Sequence, residues 1–155
     1  MRKILCEIIL SAIFAGTLIL TSCTPGSCFE ETNSYLKASF YLTGDGTNTA
    51  PDSLTLYGTG RDTSIIYNKK GSVKVALMPL DAAAASCSFV VRINGVSDTI
   101  TFLYSSYPHL ISKECGYTYY HEIEPPVFTG KIIDTVTVSR STITTRSEEN
   151  IRIYY

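Results

Sequence analysis

From residue 35 onward, apolar side chains recur at every second position, and this period limits what the chain can fold into. In YLKASFYL, Leu36, Ala38, Phe40 and Leu42 share one face, with Tyr35, Lys37, Ser39 and Tyr41 on the other. Leu54 and Leu56 repeat the pattern, and Val73, Val75 and Leu77 are read as inward against Ser72 and Lys74. Cys87, Phe89, Val91 and Ile93 follow, then Ile100, Phe102 and Tyr104, then Tyr117, Tyr119, His121 and Ile123. A strand places such sets on one face, and a helix scatters them. Near Asp134 the phase of Ile133, Val136 and Val138 slips, as at a β-bulge.

Turn formers punctuate these runs: Gly44-Asp45-Gly46, Gly58 with Gly60, Lys70-Gly71, Asn94-Gly95, Pro125-Pro126 and Ser147 to Asn150. Asn94-Gly95 is the strongest hairpin mark and joins strands expected at 86–93 and 96–104. The alanine-rich LDAAAAS is too short for a stable helix and reads as a loop. About eight to ten short strands with no long helix predict an all-β fold, a two-sheet antiparallel β-sandwich. A small closed β-barrel is the alternative. Residues 35–155 suit a single domain.

The beginning of the chain differs. Arg2 and Lys3 precede an uncharged run, residues 8–20. As a helix it would reach only about 20 Å, short of the roughly 30 Å hydrocarbon core, so it reads as a signal rather than a span. Leu20-Thr21-Ser22-Cys23 matches the bacterial lipobox, in which a thiol receives diacylglycerol and a protease cuts just before it. The expected plan is a lipoprotein signal peptide at 1–22, a lipidated tether at 23–34 and the β-domain at 35–155. An ordinary secretory signal is the alternative. Two or more acyl chains on Cys23 would hold the protein stably at a membrane.

The formal net charge is −1, and no basic field marks a nucleic-acid surface. Of five cysteines, Cys6 would leave with the signal and Cys23 would carry lipid. Three remain for an oxidising compartment. Cys28 opens the domain, and Cys115 sits beside Gly116, where the backbone can turn sharply. We expect a Cys28–Cys115 disulfide, with all three thiols reduced as the alternative. Cys87, in phase with Phe89, reads as a small apolar core residue.

Further segments carry a resemblance. CFEETN follows the lipobox, MPL follows an alternating strand, HLISKECG ends on Cys115-Gly116, and the chain closes on IDTVTVSRSTITTRSEENIRIYY. Together they resemble a family of small Bacteroidetes lipoproteins, a domain-of-unknown-function family. The resemblance implies export and a β-rich fold and adds no activity. It favours the Cys28–Cys115 pair, since Cys87 is not part of its pattern. Surface-exported lipoproteins of that bacterial group often carry acidic residues close behind the cysteine. Here Thr24, Pro25, Gly26 and Ser27 are uncharged, so an outer-membrane anchor facing the periplasm is expected, with the cell surface as the alternative.

Little in the chain suggests catalysis. His109 reads as a loop residue, and His121 reads as packed in a sheet. His121 and Glu122 are strand neighbours pointing to opposite faces, so they cannot chelate together. No G-x-S-x-G elbow or phosphate-binding unit occurs, and TGDGTN offers only Asp45 to a cation. No C-x-x-C spacing suggests zinc. We expect no enzyme, no catalytic residue, no metal site and no cofactor. Tyrosine is the one surplus, eleven with no tryptophan, and Tyr35, Tyr41, Tyr57 and Tyr67 are expected at solvent. The leading expectation is a membrane-anchored, non-catalytic envelope protein that contacts another envelope component. The alternative is a glycan- or small-ligand-binding lipoprotein using surface tyrosines.

Overall fold

The computed structural model describes residues 26–155. The segment read as a signal and Cys23 lie outside the described residues. Eleven strands form: β1 Leu36–Tyr41, β2 Leu54–Gly58, β3 Ile65–Lys70, β4 Val75–Met78, β5 Ser86–Ile93, β6 Val96–Ser112, β7 Gly116–Ile123, β8 Val127–Phe128, β9 Thr135–Val138, β10 Thr142–Ile143 and β11 Ile151–Tyr154. The smaller sheet has the order β4-β1-β11-β9. The larger runs β10-β7-β6-β5-β2-β3, with β8 beside β6.

The fold is all-β with two sheets, as the alternation predicts. Two details correct the expectation. Among the described residues there are eleven strands against about eight to ten expected, because β3 is exposed along nearly its whole length and β8 has two residues, so neither shows an inward alternation. One pair, β1 with β11, is parallel, while the others are antiparallel. Between the sheets lies one cluster that includes Leu36, Phe40, Leu54, Leu56, Ile100, Phe102, Ile151 and Ile153, all fully buried. Each such side chain contributes about 1.5–3 kcal/mol relative to exposure.

The face assigned to Val75 and Leu77 is also corrected, while Val73, ahead of β4, packs against the core as expected. Ala76 pairs with Ala38 and Met78 with Leu36, so Ala76 and Met78 point inward. Cross-strand partners share a face, and the core-facing set of β1 dictates that of β4. Val75 and Leu77 are consequently exposed. The Leu77 N–H donates to the Tyr67 hydroxyl at 3.2 Å, bridging the edges of the two sheets. On the opposite flank Asn150, just before β11, donates from Nδ2 to the carbonyls of Arg140 and Thr142, and its Oδ1 accepts from Lys37 N–H.

The β5–β6 hairpin turns on Asn94 and Gly95, with φ of 48° and 93°. Both signs are those that a two-residue type I′ turn requires. Strand β6 then runs well past the residue 104 expected from the sequence. The Tyr104 N–H donates toward β5, to Ala85 O, so even-numbered N–H groups of β6 point that way. Because β5 ends at Ser86, opposite Leu103, Pro108 falls where its missing N–H breaks no ladder bond. On the other edge of β6, Tyr104 pairs with Ile123, but Thr101 pairs with Val127. The one-residue slip is a bulge at Pro125-Pro126.

The phase slip near Asp134 has a different origin from the bulge expected there. Asp98, on the core face of β6 and only 1% exposed, binds the 129–133 segment. Its Oδ1 accepts from Thr129 Oγ1 at 2.6 Å, and its Oδ2 accepts from the N–H groups of Ile132 and Ile133 at 2.8 and 2.9 Å. The Lys131 N–H reaches both oxygens at 3.0 Å. Burial alone would raise this carboxyl's pKa. The four donors outweigh burial and hold it below the usual carboxylate value.

Candidate functional site

Beyond Leu103, β6 loses β5, and only β7 accompanies it. The two strands leave the core as an arm from Ser106 and His121 outward. At its tip Gly116 adopts φ +72°, and Cys115 is bonded to Cys28 with the Cα atoms 4.8 Å apart. The segment read as tether is laid along β7: Thr118 Oγ1 donates to Thr32 O at 2.7 Å, and Ser34 Oγ donates to Tyr119 O. Both cysteines singled out from the sequence therefore meet at the arm tip. Cys23 lies outside the described residues.

Register divides the arm into two faces. One carries Tyr107, His109 and Tyr120, with the His109 ring stacked on Tyr120 at 4.0 Å and Tyr107 edge-on to it at 6.2 Å. His109 is thus a strand residue rather than the loop residue expected, because Pro108 is tolerated at a free edge. The other face continues the core phase beyond the core and exposes Leu110, Tyr117 and Tyr119. Tyr35, Tyr41, Tyr57 and Tyr67, expected at solvent, are half-buried. Tyr41, for example, packs on Tyr154 at 5.4 Å and lies under the Arg152 guanidinium.

His121 is buried at the arm's root, with Nδ1 2.8 Å from Ser106 Oγ and its ring edge-on to Tyr104. Burial holds its pKa below the ordinary histidine value. A general base needs a pKa near the working pH and an orienting partner. The third neighbour here is an aromatic ring rather than a carboxylate. Among the described residues no three His, Cys, Asp or Glu side chains come together as a metal cluster.

Two clefts of about 370 Å³ flank the core. One lies against the outer face of β1 and β4, between Lys37, Tyr67 and Glu149. The other lies between the β2–β3 turn and the 79–86 loop, where Arg61, Ser64, Asp81 and Cys87 meet. Burial pushes the Cys87 thiol up to about 11, which makes it a poor nucleophile. We expect iodoacetamide at pH 8 to alkylate Cys87 in the native chain about 100-fold more slowly than in urea, from thiolate fraction alone. Equal rates by mass spectrometry would refute this assignment.

Sequence reasoning missed Asp98 and the arm. Asp98 had a signal, a carboxylate in phase with Ile100 and Phe102. The arm had only a weaker one, an alternation in GYTYYHEIE that outruns the apolar content of its neighbours. The model of a family described as "Family of unknown function (DUF6452)" matches residues 53–155, from the start of β2 to the last strand, including Cys115 but not Cys28. No curated protein and no solved structure matches the chain.

Proposed function

The chain belongs to the DUF6452 family, whose description assigns no function, and we propose on other grounds a lipoprotein of the bacterial envelope that acts by contact rather than by catalysis. Cys23 carries the lipid, residues 24–27 lead from it, and the β-domain is presented from the periplasmic side of the outer membrane. The resemblance to small Bacteroidetes lipoproteins supports the same reading. The observation that carries it is the sequence Leu20-Thr21-Ser22-Cys23 placed a few residues ahead of a tether that is fixed, not free. A purely flexible leash would let the domain tumble. A tether bonded to the arm tip holds one end of the domain toward the anchor and the sandwich away from it, free to meet an envelope protein.

Intact mass and amino-terminal peptide analysis of protein extracted from membranes tests the anchor. Cys23 should carry thioether-linked diacylglycerol and be the first residue. Cross-linking in living cells should then return one reproducible envelope protein. An unmodified Cys23 refutes the anchor, and random cross-links refute the contact role.

A further inference from the structure

The arm tip has an unusual surface for a region so near a membrane tether. Among the described residues, the most exposed large apolar side chains are Phe29 at 92%, and Tyr117 and Val127 at 72% each. Two of these flank the disulfide: Phe29 follows Cys28, and Tyr117 lies two residues past Cys115. Leu110 pairs with Tyr117 across the arm, and Tyr119 stands next on the same face; both are about half exposed. Cys28 is five residues from Cys23, a separation that spans at most about 17 Å.

We propose that this tip is a membrane-contact site: Phe29, Leu110, Tyr117 and Tyr119 sit in the headgroup–acyl boundary of the leaflet that holds the Cys23 lipid. The proposal rests on the lipid anchor. Aromatic rings that carry a hydroxyl suit that boundary, where one end is apolar and the other wet. Charge does not drive the contact. Lys113 at the tip is accompanied by Glu114, Glu30 and Glu31, so anionic lipid is not favoured. The contact is apolar, persists on zwitterionic lipid and is insensitive to salt. With the lipid and the arm tip both engaged, the domain has two points of attachment and stands in one orientation.

The chain contains no tryptophan, so Tyr117→Trp supplies a single reporter in the full lipidated protein. Val127→Trp is the control: its cross-strand partner Thr101 lies about 35 Å up β6 from the tip. Both variants are reconstituted in phosphatidylcholine vesicles with brominated acyl chains, at low and high salt. The Tyr117→Trp emission should shift to the blue and lose about half its intensity relative to unbrominated vesicles, at both salt concentrations, while Val127→Trp is unchanged. Mass spectrometry of the same samples separates the two ways to fail. If Cys23 bears no lipid, the anchor falls and this contact with it. If the lipid is present and the two reporters are quenched equally, or quenching vanishes at high salt, the apolar contact is overturned while the anchor stands.

Discussion

Asp98→Ala should lower the free energy of unfolding by about 3–4 kcal/mol, seen as a large fall in the urea midpoint with little change in slope. The substitution removes one carboxylate and strands four donors: the Thr129 hydroxyl and the N–H groups of Lys131, Ile132 and Ile133. The segment also places Ile133 in the core, 1% exposed, so releasing it uncovers an apolar side chain too. Asp98→Asn keeps one carbonyl oxygen and should lose less. The pH dependence follows from the sign of the shift. A carboxyl held below its unfolded pKa near 3.9 stabilises the fold fully above that value and stops doing so as pH falls through the native value. Buried His121 acts in the same direction at higher pH. Its neutral form is favoured, so stability declines as pH falls through about 6.5. The wild-type chain should weaken in two stages on acidification, and Asp98→Ala should flatten the second. An Asp98→Ala variant with the wild-type midpoint would refute the capping role.

Replacing both Cys28 and Cys115 with serine should cost about 2–4 kcal/mol by urea unfolding, since the bond closes a loop with a sequence separation of 87. The local effect is equally diagnostic. Without the bond, the hydrogen bonds of Thr118 to Thr32 and of Ser34 to Tyr119 remain between residues 28–34 and β7. Amides of the arm tip and tether should exchange rapidly, while those of β5 and β2 stay protected. If arm protection and unfolding midpoint both survive the double substitution, the staple is dispensable and the arm is rigid on its own.

Period-two alternation sufficed for the fold class because each inward set in β1, β5 and β6 meets a partner set across the sandwich. It failed at β4, where Val75 and Leu77 look more core-like than Ala76 and Met78. Apolarity alone cannot choose between two plausible faces when the pairing partner decides. It also failed at Pro108, because the acceptability of a strand proline depends on which edge is occupied, and that is a tertiary fact. The tyrosines misled for a related reason. Tyr41 and Tyr67 find aromatic or hydrogen-bonding neighbours in three dimensions, whereas Tyr117, near the arm tip, stays exposed. The Cys28–Cys115 bond was legible because a turn glycine and a domain-opening cysteine are local cues. The laying of the tether along β7 was not, because its contacts are made mostly through backbone oxygens that no side-chain pattern announces.

The parallel pairing of β1 with β11 governs when this protein is able to fold. β11 inserts between β1 and β9, so the smaller sheet has a vacant seat until Ile151–Tyr154 has been synthesised. A ribosome-bound fragment that ends before Ile151 carries the inner faces of β1 and β4 with nothing to zip them to β9, and long-range pairings of this kind form slowly. The smaller sheet is therefore completed by β11, after its other three strands have been made.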